Sequence, residues 1–358
     1  MSINLDLTTA CNFKCTHCVD WDMLNTRHKY QAQELRDSLS LMAQRGLRSV
    51  ILIGGGEPTL YSGFADFVRY LKSLALEVAI VSNGSRGHVL LDAAPALDER
   101  DWIRLSLDSG SNELFVKMHR PADPAIDLDA ICAAVPEIKR ANPRVRVGYS
   151  YIITWSGASR DGNEILENVH EIELAAARAR RYGFDYIAFK PVLERQPDGA
   201  EVMDPARVRA GVEVMIARIR GAVDRARALA DGSFEVYESV NLRMLESGSW
   251  LEMTRQPRTC HMQALRQVLS PLGLYNCPAH RGVAKARIAG ADAYKDAAAA
   301  RATGQQQLRI LDEFDASHEC RAVTCLYNGA NWWLEKQISS PGSDAETGLA
   351  EERLDWFL

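Results

Sequence analysis

The sequence predicts an α/β protein built around parallel strands, and three observations carry that prediction. Short apolar runs without alternation, such as SVILIG (49–54), read as strands buried on both faces of a sheet. Each run is followed by a segment whose apolar residues recur at helical spacing. The two kinds alternate through about the first 190 residues and give six βα-type units. Right-handed crossovers then lead either to a partial barrel or to an open doubly wound sheet.

The elements follow in order. INLDL (3–7) is a short strand leading into a cysteine-rich loop. QAQELRDSLSLMAQRG (31–46) has a helical apolar stripe and stops at a glycine, a helix end. FADFVRYLKSLA (64–75) is helix, and EVAIVSNG (77–84) is a strand ending in a turn. WIRLSLD (102–108) is strand, LDAICAAVPEIKRA (128–141) helix and RVRVGYSYIIT (144–154) strand. Helix over 163–183 and strand over 184–192 complete the sixth unit. The polar stretch 193–205 reads as a linker, and 205–230 as a long helix with arginines opposite its apolar stripe. This gives a first unit over 1–192, a connection over 193–257, a small cysteine-bearing unit over 258–338 and a flexible acidic tail over 339–358, whose EERLDWFL end reads as a short docked helix.

The 358 residues are 47% hydrophobic and 25% charged, the balance of a soluble globular chain. A net charge of −5 and the absence of a basic block argue against a nucleic-acid partner. The N-terminus lacks a basic and an apolar signal region, and no apolar run is long enough to span a bilayer. A cytoplasmic protein without a membrane partner is expected. Its eight cysteines then belong to a reducing compartment, where metal ligation is favoured over disulfides.

Seven of those cysteines fall into two groups. CNFKCTHC (11–18) brings Cys11, Cys15 and Cys18 together after the first strand, at the end where α/β proteins build sites. Three thiolates can hold three irons of a [4Fe–4S] cube and leave the fourth iron open; the alternative is zinc completed by His17 or a distant ligand. IGGGEPTL (53–60) follows the next buried strand, its glycines allowing close backbone approach and Glu57 placing a carboxylate there.

With these two motifs in order on these elements, residues 3–192 resemble the radical S-adenosylmethionine (SAM) superfamily. The resemblance implies a partial (β/α)6 TIM-type barrel, followed here by a small C-terminal cluster-binding domain. It implies that Cys11, Cys15 and Cys18 hold a [4Fe–4S] cluster whose open iron chelates SAM, with His17 backing the adenine. Glu57 and the Gly55–Gly56 backbone would meet the SAM amino group. Ser82 or Asn83 would contact the ribose, Ser106 and Asp108 the ribose or carboxylate, and Ile152 or Ile153 the adenine. The implied chemistry is reductive cleavage of SAM and abstraction of a hydrogen atom from an unactivated C–H bond, fed by a flavodoxin- or ferredoxin-type electron donor.

Cys260, Cys277, Cys320 and Cys325 make a second set of four, enough for a closed cluster or for tetrahedral zinc. SPLGLYN (270–276) between the first two reads as a hairpin. Behind a radical SAM unit the set resembles the SPASM/twitch type of auxiliary [4Fe–4S] domain, in its one-cluster form, although the four-residue gap between Cys320 and Cys325 departs from the tighter spacing expected. Cys132 alone is spare, and its place on a helix predicts a buried structural thiol.

Three functions are compatible with this pattern. The first is an oxidoreductase or lyase acting on a small polar metabolite (a sugar, aminocyclitol or nucleoside) of specialised biosynthesis, by dehydrogenation or decarboxylation. The second is a modifier of precursor peptides, for which a first cysteine at position 11 leaves no room for a preceding leader-binding domain. The third is an iron–sulfur electron carrier or activating subunit. The first is favoured, with His119, Arg120, Lys190, Arg195 and Tyr327 as candidate substrate contacts. Lys190, at the end of the sixth strand, is the candidate catalytic residue.

Overall fold

The computed structural model describes residues 1–358 apart from 197–198, 209–210, 341–356 and 358. Six parallel strands lie side by side in sequence order: β1 (Ser2–Leu5), β2 (Ser49–Leu52), β3 (Glu77–Ser82), β4 (Trp102–Ser106), β5 (Arg146–Ile153) and β6 (Tyr186–Pro191). Helices return the chain between them, among them α1 (Ala32–Gln44), α2 (Phe64–Ser73), α3 (Gly87–Ala93) and α4 (Asn112–His119). This is the alternation expected, and it gives a curved parallel sheet rather than a closed barrel.

Two corrections concern where the sheet ends. β7 (Glu235–Glu238) adds a further parallel strand beside β6. On the other edge β8 (Arg266–Ser270) runs parallel to β1, with Ser2 opposite Arg266 and Leu5 opposite Leu269. β9 (Gly273–Tyr275) and β10 (Arg287–Ala289) extend that edge as antiparallel strands, so ten strands form one sheet. The cysteine-bearing C-terminal unit is therefore continuous with the first unit through β1. The expected hairpin at SPLGLYN is the β8–β9 turn, where Gly273 takes a φ of 142°.

Local chemistry explains the other differences. The helix expected over 128–141 is two, α5 (Leu128–Cys132) and α6 (Val135–Ala141). Pro136 has no N–H to bond back across the junction, so it opens a new helix. The helix expected from 163 begins only with α7 (Ile172–Arg181). Before it, Ser159–Arg160 and Asn163–Glu164 form a small hairpin whose Asp161 and Gly162 have φ of 48° and 75°, the Asp-Gly turn chemistry of a tight hairpin. The stretch 193–205 contains a second small hairpin, Glu194–Arg195 against Glu201–Val202. The long helix is α8 (Val212–Arg227). Of the expected tail, 341–356 and 358 lie outside the described residues.

The two faces of the sheet differ in chemistry. Ile3, Leu5, Val50, Leu52, Val78, Ile80, Ile103, Leu105, Tyr149 and Tyr151 are buried beneath the helices. The alternate residues face the concave lumen: Asn4 and Asp6, Ile51, Ala79 and Val81, then Trp102, Arg104 and Ser106, Ser150 and Ile152, and Ala188 and Lys190. The ring of Phe357 lies against Ile51, Ala79 and Val81 and stands edge-on to Trp102 at 5.4 Å.

Asn168 locks the upper ends of β4 and β5 together. Fully buried, it donates from Nδ2 to Asp108 O (2.7 Å) and Ile152 O (2.8 Å) and accepts from Thr154 N (2.8 Å). Asn168→Ala would leave three buried backbone groups unpaired. A loss of roughly 2–4 kcal/mol is expected, at about 1–3 kcal/mol per orphaned group with partial relaxation, readable as a shifted urea midpoint.

Candidate active site

Because the first six strands are parallel, their C-terminal ends share one rim. The loop after β1 carries the three-cysteine motif across that rim. It is strapped to the end of α4, whose last carbonyls lack helical partners: Lys14 N donates to His119 O (3.1 Å) and Thr16 N to Met118 O (2.7 Å). Cys11 N donates to Asn25 Oδ1 (3.0 Å). The thiols of Cys11, Cys15 and Cys18 are close enough to oppose one another's ionisation. Burial, and then Cys18 and Cys11, push Cys15 well above the usual thiol range, while burial and Asp20 push Cys18 up to about 12. Three crowded, half-buried sulfurs of this kind are unfavourable as free thiolates and favourable as ligands of a cation. The donor set fits an iron–sulfur cluster.

Behind the loop, Asp108 organises a buried polar group. Its φ of 48° turns the chain at the end of β4. The carboxylate accepts from His17 Nε2 (2.9 Å) and from Ile152 N (2.6 Å). Burial works against its charge, but the hydrogen bond and charge of His17 prevail and hold it below the usual carboxylate range. His119 donates from Nε2 to Leu107 O (2.9 Å), which leaves Nδ1 facing Cys15 Sγ at 3.3 Å. His17, Asp108 and His119 each bring a donor atom within 4.8 Å of the others. Their closeness is accounted for by these hydrogen bonds. His119, expected to touch substrate, is instead 1% exposed and packed on the cysteine loop.

The glycine turn after β2 meets the neighbouring chain on its side-chain faces. A Cβ on Gly56 would come 2.5 Å from both Thr8 O and Ala10 O, and one on Gly55 would come 2.7 Å from Asp6 Oδ2. These glycines let the β2 turn close on the root of the cysteine loop, and Glu57 N donates to Ala10 O (2.8 Å) there. Glu57 is 2% exposed. Its Oε1 accepts from Thr59 N (3.0 Å), Thr59 Oγ1 (2.6 Å) and Ser82 Oγ (2.7 Å), and its Oε2 from Asn83 N (2.7 Å). Asn83 Nδ2 donates to Asn12 Oδ1 (2.9 Å). Glu57, Ser82 and Asn83 thus bind the ends of β2 and β3 to each other and to the loop. Of the two isoleucines of β5, Ile152 faces the lumen; Ile153 is fully buried on the helix side and is ruled out as an adenine contact.

The four later cysteines gather around a cavity of about 270 Å³, together with Asn4, Glu201, Arg266 and Tyr327. Burial, and then Cys260, Cys320 and Cys325 in turn, raise Cys277, so all four thiols face one another. Lone Cys132 is fully buried in the main core, as expected. A buried ion network joins this unit to the first motif. Arg281 donates from Nη1 to Asp20 Oδ2 (2.6 Å) and lies 3.3 Å from Asp6 Oδ2. Arg195 donates to Asp20 Oδ1 (3.2 Å), Val19 O, Gly199 O and Arg281 O (3.0 Å each). Arg195 is therefore committed to structure and not free for substrate. Arg120 is exposed at the end of α4, with φ of 47°.

Residues 5–169 match the Radical SAM superfamily. This is a radical SAM domain. The radical SAM domain is 36% identical over 111 residues to an S-adenosylmethionine-dependent nucleotide dehydratase of Thermoplasmatales archaeon (strain ISO4-H5), covering 30% of this chain and 38% of that protein. It is 33% identical over 123 residues to GTP 3′,8-cyclase of Chlorobaculum tepidum, covering 33% and 36%. These matches span little more than a third of the relatives' own length. The fold as a whole is similar to that of Streptococcus suis SuiB bound to S-adenosylmethionine, with a TM-score of 0.60 at 14% identity over 90% of this chain and 67% of that one. Members of the superfamily use SAM and a [4Fe–4S] cluster. The described residues include no helix long and apolar enough to cross a membrane.

Sequence reasoning missed Asp20, Arg281, Asp6 and Asn168. Only the Asp-Gly hairpin left a readable signal; the ion network has none, because Asp6 and Asp20 find their partners Arg195 and Arg281 far along the chain. Gly56→Ala sets a Cβ against immovable backbone. It should cost about 1–3 kcal/mol in urea unfolding and reduce the iron bound on anaerobic reconstitution, since it forces the glycine turn away from the cysteine loop.

Proposed function

We propose that this chain is a radical SAM oxidoreductase or lyase acting on a small polar metabolite, with a second, closed [4Fe–4S] cluster. The observation that supports the reading is the gathering of seven cysteines into two sets, three on the β1 loop and four around the cavity lined also by Asn4 and Arg266. When bound, SAM and the first cluster supply a 5′-deoxyadenosyl radical able to take a hydrogen atom, and the second cluster can exchange an electron.

In this reading Cys11, Cys15 and Cys18 hold the first cluster and Cys260, Cys277, Cys320 and Cys325 the second. The His119 ring fixes Cys15, and Asp20 anchors the chain two residues beyond Cys18. Asp108, buried and held by His17 and Ile152 N, keeps its charge at the end of β4, two residues beyond Ser106, on the rim where SAM is expected. Glu57 keeps the ends of β2 and β3 rigid behind it. The apolar wall of Ile51, Val81, Trp102 and Phe357 keeps water from the β2–β4 side of the lumen. Lys190 stands on the opposite wall, free to hold or deliver a proton. A nucleotide-like metabolite is consistent with the dehydratase and cyclase relatives, and a flavodoxin or ferredoxin is the electron donor.

Anaerobically reconstituted protein should contain about eight irons and eight sulfides, measured by metal and acid-labile sulfide analysis. Zinc with four irons would overturn the second cluster. With dithionite, the wild type should convert SAM to 5′-deoxyadenosine, and the combined substitution of Cys11, Cys15 and Cys18 by Ala should abolish that product in chromatography.

A further inference from the structure

We propose that the lumen contains an oxyanion-binding site made by Arg104 and Lys190, which takes a phosphate or carboxylate group carried by the substrate. The inference rests on the small-metabolite reading above and narrows its substrate to an anion. Strand register builds the site. Arg104 on β4 is level with Gly148 on β5 and Tyr186 on β6. One step higher, Ser106, Ser150 and Ala188 form a row across the same three strands. Above that row Lys190 is level with Ile152. The Arg104 guanidinium below and the Lys190 amine above thus flank two hydroxyls, and Ala188 contributes only a methyl to that row.

These cations are unlike the protein's other buried cations. Arg195 and Arg281 share Asp6, Asp20 and Glu201. Among the described residues neither Arg104 nor Lys190 forms an ion pair, and no hydrogen bond engages Lys190 or the Ser106 and Ser150 hydroxyls. Arg104 Nε is buried with no partner. Its guanidinium lies over Trp102 at 4.9 Å from the ring centre, which fixes its plane without neutralising its charge. The one carboxylate that acts on both cations is Asp108, already occupied by His17 and Ile152 N. Burial, with Arg104 adding to it, presses the Lys190 amine well below the usual lysine range. Lysine can answer such a cost by losing its proton, but a guanidinium cannot. An anion carried by the substrate would supply the partner that the described residues do not give Arg104. Arg266, which donates to Ser2 Oγ (2.9 Å) and to Asn4 Oδ1, adds a third positive charge within electrostatic reach of Arg104. The planar fork of Arg104 suits two oxygens of one phosphate or carboxylate.

The test uses the reconstituted, SAM-loaded full chain in calorimetry with inorganic pyrophosphate, inorganic phosphate and malonate as probes. Saturable binding of at least one probe at a stoichiometry near one is expected. Arg104→Met and Lys190→Met should each weaken it by tenfold or more, whereas Arg104→Lys and Lys190→Arg should weaken it less than the Met variants. Preference for phosphate or pyrophosphate identifies a phosphorylated substrate, and preference for malonate a carboxylated one. The wild type gives a readout that does not depend on any variant folding: the bound anion should slow acetylation of Lys190, followed by peptide mass spectrometry. No saturable binding, binding indifferent to both Met variants, or unchanged acetylation of Lys190 would overturn the proposal. 5′-Deoxyadenosine formation on the same wild-type sample tests the radical SAM reading separately. Anion binding without that product leaves this site standing and removes the function proposed above; the product without anion binding does the reverse.

Discussion

Asp20 is the constraint on which the rest of the site depends. Its two oxygens take Arg281 Nη1 and Gly55 N on one side and Arg195 Nη2 on the other. One side chain, two residues beyond Cys18, thereby ties the cysteine loop to the glycine turn, to the hairpin at 194–202 and to the segment following Cys277. With Asp6 and Glu201 added, three carboxylates share two guanidinium groups in a water-poor space. Burial, and then Asp20, push Glu201 up, and burial pushes Asp6 well above its usual range, so the charge on both carboxylates is costly. Such a network contributes little net stability, because desolvation offsets the attraction. What it does contribute is a fixed relation between the two groups of cysteines.

A second network does for the β4–β5 side what Asp20 does for the β1–β2 side. Asn168 and Asp108 close the strand ends, His17 returns the cysteine loop to Asp108, and His119 holds Cys15 from behind. Glu57 completes the ring by joining β2 to β3. Each of these groups is buried, and most of their hydrogen bonds go to one another or to backbone. The rim is therefore rigid before any cofactor arrives, which is what an open cluster site needs if it is to hold a cosubstrate in one orientation.

Much of the fold was legible because its signals are local. Continuous apolar runs mark SVILIG and EVAIVSNG as buried strands, and Gly-ended amphipathic stretches mark the helices. Errors arose where a short-range rule was overlooked, as with Asp161-Gly162, or where a strand's partner is remote. Nothing in RQVLS (266–270) announces that it will lie parallel to β1, more than 260 residues earlier. The cysteine groups were legible for a different reason. Thiols in close sequence spacing have few other uses in a reducing setting, so the motif carries its chemistry with it. The candidate substrate contacts were not legible, since a lone His119 or Arg195 reads the same whether it faces solvent, a ligand or a carboxylate.

The sequence by itself determined the order of strands and helices, the two sets of thiols and the glycine turn beside Glu57, because periodicity, spacing and the conformational freedom of glycine act over a few residues. Only the tertiary structure decided which charges meet. It spent Arg195 and Arg281 on Asp6, Asp20 and Glu201, turned His119 toward Cys15, and left Arg104 and Lys190 without an ion pair among the described residues. That outcome follows from burial: the energy of a charge is set by what surrounds it in space, and those neighbours are scattered along the chain.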